Sequence, residues 1–92
     1  MIRPRKKRFI AFNAHITYFK PRGIPLVELE EVVLSSDELE ALRLKNIENL
    51  DQTSCAKKML ISQSTFQRLL NSAYKKVSLA LVQGKAIEIV NK

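Results

Sequence analysis

Hydrophobic and polar positions alternate in blocks along this chain, and each block predicts an element. The clearest block is Gln52–Tyr74, QTSCAKKMLISQSTFQRLLNSAY. Cys55, Met59, Ile61, Phe66 and Leu69 are apolar at positions four, eight, ten, fifteen and eighteen of a twenty-residue unit counted from Gln52, and Ala56 stands at the fifth. Two helices packed steeply over a short turn need apolar residues at those buried places and a small one where their axes come closest. The pattern predicts a helix over 51–59, capped by Asp51, a turn at Leu60-Ile61-Ser62, and a second helix over 63–83 capped by Ser62. Phe66, Leu69, Leu70, Ala73 and Val77 recur at helical spacing as its buried stripe. Gly84 is a natural stop. The ninth position of the unit, in the turn, favours glycine because its backbone takes positive φ. It is Leu60, so either the leucine accepts a left-handed conformation or the turn adjusts.

The flanking blocks are weaker or shorter. Ser35-x-x-Glu38 is a capping box with Leu34 and Leu39 at the staple positions, and predicts a helix over 35–48 whose Leu39, Leu42 and Ile47 face the core. Its Asp37, Glu38 and Glu40 suit the positive end of the helix dipole, and its acidic outer face is a candidate surface for a protein partner. Ala86–Val90 alternates like a terminal strand, with Phe9–Phe12 as a candidate neighbour in the same chain or in a second copy. Phe9–Phe19 suits one or two short strands. Lys20–Pro25 reads as a turn, and the next stretch divides between a short helix from Pro25 through Leu26, Leu29 and Glu31 and a strand or extended link at Val32-Val33-Leu34. The fold class expected is mainly α: a three-helix, homeodomain-like or winged-helix-like helix-turn-helix with short terminal β-strands. The domain plan is a basic arm at 1–8 and one domain over 9–92.

Charge adds a second pattern. Residues 1–22 hold seven basic and no acidic side chains, residues 23–50 two and seven, and residues 51–92 seven and two. A basic arm and a basic C-terminal half flank an acidic middle, which points to an anionic partner and first to nucleic acid. On the outer face of the 63–83 helix, Gln63, Ser64, Gln67, Arg68 and Asn71 are the candidate base readers. Glutamine can pair bidentately with adenine and arginine with guanine. Thr65, Lys57, Lys58, Lys75 and Lys76, together with Arg3, Arg5, Lys6, Lys7 and Arg8 of the arm, are the candidate phosphate contacts. The end of the helix is apolar on several faces through Val77, Leu79, Ala80, Leu81 and Val82, which suggests a homodimer interface or packing against N-terminal strands.

Other chemistry finds little footing. The single cysteine, Cys55, allows no internal disulfide and suits a reducing compartment. His15 is the only histidine and has no metal-ligand partner at the required spacing. No metal or cofactor is expected, and no triad, phosphate-cradling glycine loop or carboxylate pair suggests an enzyme. No apolar run reaches the ~20 residues that span a bilayer, and no secretory signal is evident, so a cytoplasmic protein without membrane contact is expected.

Two resemblances agree with this. Leu34–Val77, LSSDELEALRLKNIENLDQTSCAKKMLISQSTFQRLLNSAYKKV, is similar to region four of primary-type sigma factors, whose second motif helix reads promoter DNA. Nearly the whole chain resembles an uncharacterised family of small prokaryotic proteins thought to bind DNA. That resemblance is carried by Arg3-Pro4-Arg5, Tyr18-Phe19-Lys20-Pro21, Gly23-Ile24-Pro25-Leu26, Glu30-Glu31-Val32-Val33-Leu34, Asp37–Leu44 (DELEALRL) and Gly84-Lys85-Ala86. Relatives in it mostly have glycine where this chain has Leu60. The resemblance implies a sequence-specific, DNA-binding transcriptional regulator acting on double-stranded DNA, with possible contacts to the transcription machinery. The competing expectations are a protein-interaction module using the acidic helix and an RNA-binding protein using the arm.

Overall fold

The computed structural model describes residues 17–90. The Phe9–Phe12 strand, His15 and the 1–8 arm lie outside them. Strands β1 (Tyr18–Phe19), β2 (Glu31–Ser35) and β3 (Ala86–Val90) form one small sheet in the order β1-β3-β2. Three helices fill the interval between β2 and β3: α1 (Ser36–Leu42, prolonged by a π-helical turn over Arg43–Ile47), α2 (Gln52–Met59) and α3 (Gln63–Gln83). The described residues are mainly helical with a three-stranded sheet.

The sheet is built differently from the expectation of two terminal strands. β3 is central, antiparallel to β1 and parallel to β2, with Val32 opposite Ile87 and Leu34 opposite Ile89. Pro25 opens only a 3₁₀ turn over Leu26–Glu28, and the stretch that follows is a strand. The reason is periodicity of two. Val32 and Leu34 are buried while Glu31 and Val33 are exposed, which a strand with one covered face requires. A parallel pair needs a long crossover, and here the crossover is the whole helical segment from α1 to α3. Gly84, at φ 68°, ends α3 and the Lys85 amide closes on the Ala80 carbonyl at 2.9 Å, turning the chain into β3.

Each helix starts on a local signal. At α1, the Ser35 hydroxyl accepts from the Glu38 amide at 3.1 Å and the Glu38 carboxylate accepts from the Ser35 amide at 2.9 Å. Asp51 caps α2 through the Ser54 amide at 2.8 Å, and Ser62 caps α3 through the Thr65 amide at 3.1 Å. The hydrogen bond from the Ser54 amide holds the Asp51 carboxyl below its usual range.

Leu60 resolves the alternatives left open at the turn. It takes φ 61° and ψ 42°, the left-handed conformation. Its amide donates to Lys57 at 3.1 Å and the next amide, of Ile61, donates to Ala56 at 3.1 Å, so these two carbonyls near the end of α2 are satisfied. Ile61 packs on the core while the Leu60 side chain is 76% exposed. A non-glycine residue there costs roughly 1–2 kcal/mol, and the leucine recovers little of it by burial.

The core has two parts. Ala41, Leu44, Cys55, Ala56, Met59, Phe66 and Leu70 join the three helices, with Leu42, Leu50, Ile61 and Leu69 packed around them. Leu34, Ala73 and Ile89 join α3 to the sheet, with Leu39, Leu42 and Ile87 beside them. Leu42 belongs to both. Ile47, expected in the core, is 76% exposed, and Val77, expected on the buried stripe of α3, is only half-buried. The Glu48 amide bonds the Arg43 carbonyl at 2.9 Å, five residues back, and this wider turn carries Ile47 off the buried stripe, which passes through Leu44 instead. Burial raises the pKa of the Cys55 thiol, which donates to the Leu50 carbonyl at 3.7 Å.

Candidate functional site

The longest helix carries the candidate site because its two sides differ. Phe66, Leu70 and Ala73 point inward and are fully or almost fully buried, which fixes the rotation of α3 about its axis. The same rotation leaves Gln63, Ser64, Arg68, Asn71 and Lys75 exposed and Thr65 and Gln67 half-buried. From Gln52 to Gln83 the sequence contains no Asp or Glu and five basic residues, so no fixed negative charge on these two helices opposes an anion. Lys57 and Lys58, in the last turn of α2, are exposed beside the turn that leads into α3.

The side chains on this face are ordered by their neighbours. Ser62 Oγ donates to Thr65 Oγ1 at 2.9 Å and lies 3.3 Å from Ser64 Oγ, so the hydroxyls at the start of α3 form a connected group. Arg68 Nη2 donates to Thr65 Oγ1 at 3.4 Å. Gln67 Nε2 donates to Asn71 Oδ1 at 3.0 Å, one helical turn further along. Gln63, Ser64, Gln67, Arg68 and Asn71 therefore lie together on the first half of one helix. Arg3, Arg5, Lys6, Lys7 and Arg8 lie outside the described residues.

Lys76 has a different setting from Lys75. Its ammonium meets the Glu38 carboxylate at 2.9 Å, and the Ser72 hydroxyl donates to the same carboxylate. Burial by itself would raise the Glu38 pKa. The bonds from Ser72, the Ser35 amide and Lys76, with the Lys76 charge, outweigh it and hold the carboxyl below its usual range. Glu38 thereby caps α1 and ties it to the middle of α3. Charge counts along the sequence miss this pair, because its members are 38 residues apart and meet only when α1 packs on α3.

The acidic helix also turns inward. Glu40 is 1% exposed, and Arg43 grips it through Nε at 2.9 Å and Nη2 at 3.0 Å while reaching Glu48 at 3.1 Å. Glu38 and Glu40 are thus buried and are not part of the acidic outer face expected of this helix. Tyr74, on α3, donates from its hydroxyl to Asn46 Oδ1 at 3.1 Å, linking the π turn to the helix flank.

The apolar end of α3 is only partly covered. Ala80 is buried, whereas Leu81 and Val82 are 76% and 83% exposed. Phe19, Pro21, Ala80, Leu81 and Ile87 line a shallow groove of about 330 Å³ between β1 and this end. Among the described residues, no group of three or more His, Cys, Asp or Glu could hold a metal ion, and no helix is long and apolar enough to cross a membrane.

The family described as Protein of unknown function DUF134 matches residues 1–92. A UPF0251 protein of Caldanaerobacter subterraneus subsp. tengcongensis is 52% identical over 89 residues, covering 97% of this chain and 75% of that protein. A UPF0251 protein of Desulforudis audaxviator is 55% identical over 89 residues, covering 97% and 58%. One from Clostridium botulinum strain Hall is 54% identical over 89 residues, covering 97% and 57%. The chain thus spans less than two thirds of the length of the latter two. No solved structure matches it.

Proposed function

This chain belongs to the DUF134 family, and we propose that it is a sequence-specific DNA-binding protein that regulates transcription through a sigma-like helix-turn-helix formed by α2 and α3. One observation carries the reading. The first half of α3 buries Phe66 and Leu70, and this orientation presents Gln63, Ser64, Gln67, Arg68 and Asn71 together on a face of a two-helix unit that has no acidic residue. Glutamine, asparagine and arginine match the donors and acceptors of base edges in a major groove. Lys57, Lys58 and Lys75, with the arm, would neutralise phosphates and fix the register. Lys76 contributes less, because Glu38 already engages its charge.

The partner is double-stranded DNA and the setting the cytoplasm. A second copy of the chain would cover Leu79, Leu81 and Val82, and two copies would then read half-sites separated by about 34 Å or a multiple of it. A protein-interaction module built on the acidic helix is a weaker reading, since Glu38 and Glu40 are paired inside the fold.

Selection of bound fragments from a random duplex library tests the proposal. Enrichment of one motif is expected, and a two-fold repeat within it if the protein binds as a dimer. Absence of duplex binding at low salt by the folded protein, or displacement of duplex DNA by structured RNA alone, would overturn it.

A further inference from the structure

We propose that Leu60 is a base contact: its side chain, held outward from the turn between α2 and α3, packs on the C5-methyl group of a thymine in the duplex that α3 reads. The inference rests on the duplex-reading role given to these helices above and adds a residue to it. Two properties of Leu60 conflict with a purely structural role. Its backbone is left-handed, at φ 61° and ψ 42°, where a Cβ crowds the following carbonyl and glycine fits without that clash. Its side chain is 76% exposed, so packing offsets little of the cost. Backbone strain that the fold itself does not need is a sign that the strained residue serves a function.

The position of Leu60 indicates which function. Ile61 packs on the core, while the residue before it faces solvent. The exposed Lys57 and Lys58 precede Leu60, and the exposed Ser62, Gln63 and Ser64 follow it. A single large apolar side chain therefore stands out from a polar, basic surface. Three residues of chain span at most about 11 Å, and a major groove is about 12 Å wide. A base edge that meets Gln63 is thus within about one groove width of Leu60. The apolar group that base edges present in that groove is the thymine methyl; the others are hydrogen-bond donors and acceptors, which leucine cannot satisfy. Deoxyribose is apolar as well but carries no sequence information, so the test has to separate base from sugar.

The full chain is titrated by fluorescence anisotropy, at fixed salt, with the duplex that the wild type selects. It is titrated also with copies in which each thymine in turn is replaced by deoxyuridine, which lacks only the methyl group. One such replacement should weaken wild-type binding by about fourfold, the effect of burying one methyl group. Leu60→Gly and Leu60→Ala should bind that thymine duplex and its deoxyuridine copy equally, and no more tightly than the wild type binds the copy. Leu60→Gly should at the same time unfold at a higher urea concentration than the wild type, so that stability and binding move in opposite directions.

Three results would overturn the proposal. The first is that no thymine replacement weakens wild-type binding, which would leave Leu60 on a sugar or off the duplex. The second is a fourfold ratio kept by Leu60→Gly or by Leu60→Ala, which would assign the methyl contact to another group. The third is a lower urea midpoint for Leu60→Gly, which would show that the leucine is retained for packing. A wild-type chain that selects no duplex removes the DNA-reading role itself and so is distinguishable from all three.

Discussion

Helices α1 and α3 both carry charge, and they use it in opposite ways. On α1 the acids turn inward, Glu38 against Ser72 and Lys76, Glu40 against Arg43. On α3 and the end of α2 the bases Lys57, Lys58, Arg68 and Lys75 are exposed, with no acid on either helix. The first arrangement holds the helices together. The second leaves positive charge available to a partner. A run of like charge along a sequence therefore does not say whether the charge builds the fold or faces solvent; its partners decide that.

Breaking the inward pair should give the largest effect. Glu38→Ala removes the capping carboxylate and leaves Ser72 and Lys76 without their acceptor. Breaking a fully buried pair costs 3–5 kcal/mol, and with Lys76 partly exposed we expect about 3 kcal/mol, read as a lower urea midpoint. The pH dependence has a defined sign. The Glu38 pKa is lowered in the folded protein, so its contribution is complete above the unfolded carboxyl range near ~4.3 and is lost as pH falls through the folded value. Glu38→Gln should therefore flatten part of the acid limb of the stability curve. An unchanged limb would show that Glu38 does not link α1 to α3 electrostatically.

Removing the outward charge should leave stability nearly unchanged and reduce binding. Arg68→Ala is expected to weaken duplex binding by about thirtyfold, or ~2 kcal/mol, if its guanidinium pairs with one guanine. Equal binding by wild type and variant would place Arg68 outside the interface. With about six phosphates neutralised, log affinity should fall with log salt at a slope of roughly −5, and the double change Lys57→Ala, Lys58→Ala should reduce that slope by ~1.8. The same double change should not move the thermal midpoint, in contrast with Glu38→Ala. The smallest effect belongs to the turn between the two helices. Leu60→Gly should stabilise the fold by about 1 kcal/mol in urea titration, because glycine takes φ 61° without the steric cost that leucine bears. A destabilised variant would mean that the exposed Leu60 side chain contributes packing that outweighs its backbone cost.

Local chemistry was the legible part of this chain. Ser35, Asp51, Ser62 and Gly84 mark helix ends because each acts on amides or carbonyls within a few residues of itself. Cys55, Ala56, Met59 and Phe66 were readable as buried because two helices over a three-residue turn have few ways to pack, and Ile61 and Leu69 pack at the edge of the same core. The left-handed turn was visible as a demand on Leu60, although not which way it would be met. The candidate base-reading face followed from the same stripe, since fixing which residues are inside fixes which are outside.

Features that depend on distant residues were not legible. Val32-Val33-Leu34 suited more than one conformation until β3 supplied hydrogen bonds from more than fifty residues away. Ile47 fitted an ideal helix, and only the π turn, followed by the bond from the Leu50 amide to the Leu44 carbonyl, moved it outward. Glu38 and Lys76 are 38 residues apart, and nothing local brings them together. The sequence by itself determined where helices begin and end, and which residues of α2 and α3 face each other, because capping and side-chain periodicity act over one or two turns. Tertiary structure alone decided the parallel strand pairing and which charges are paired inside, because both require two surfaces to meet and lose their water together.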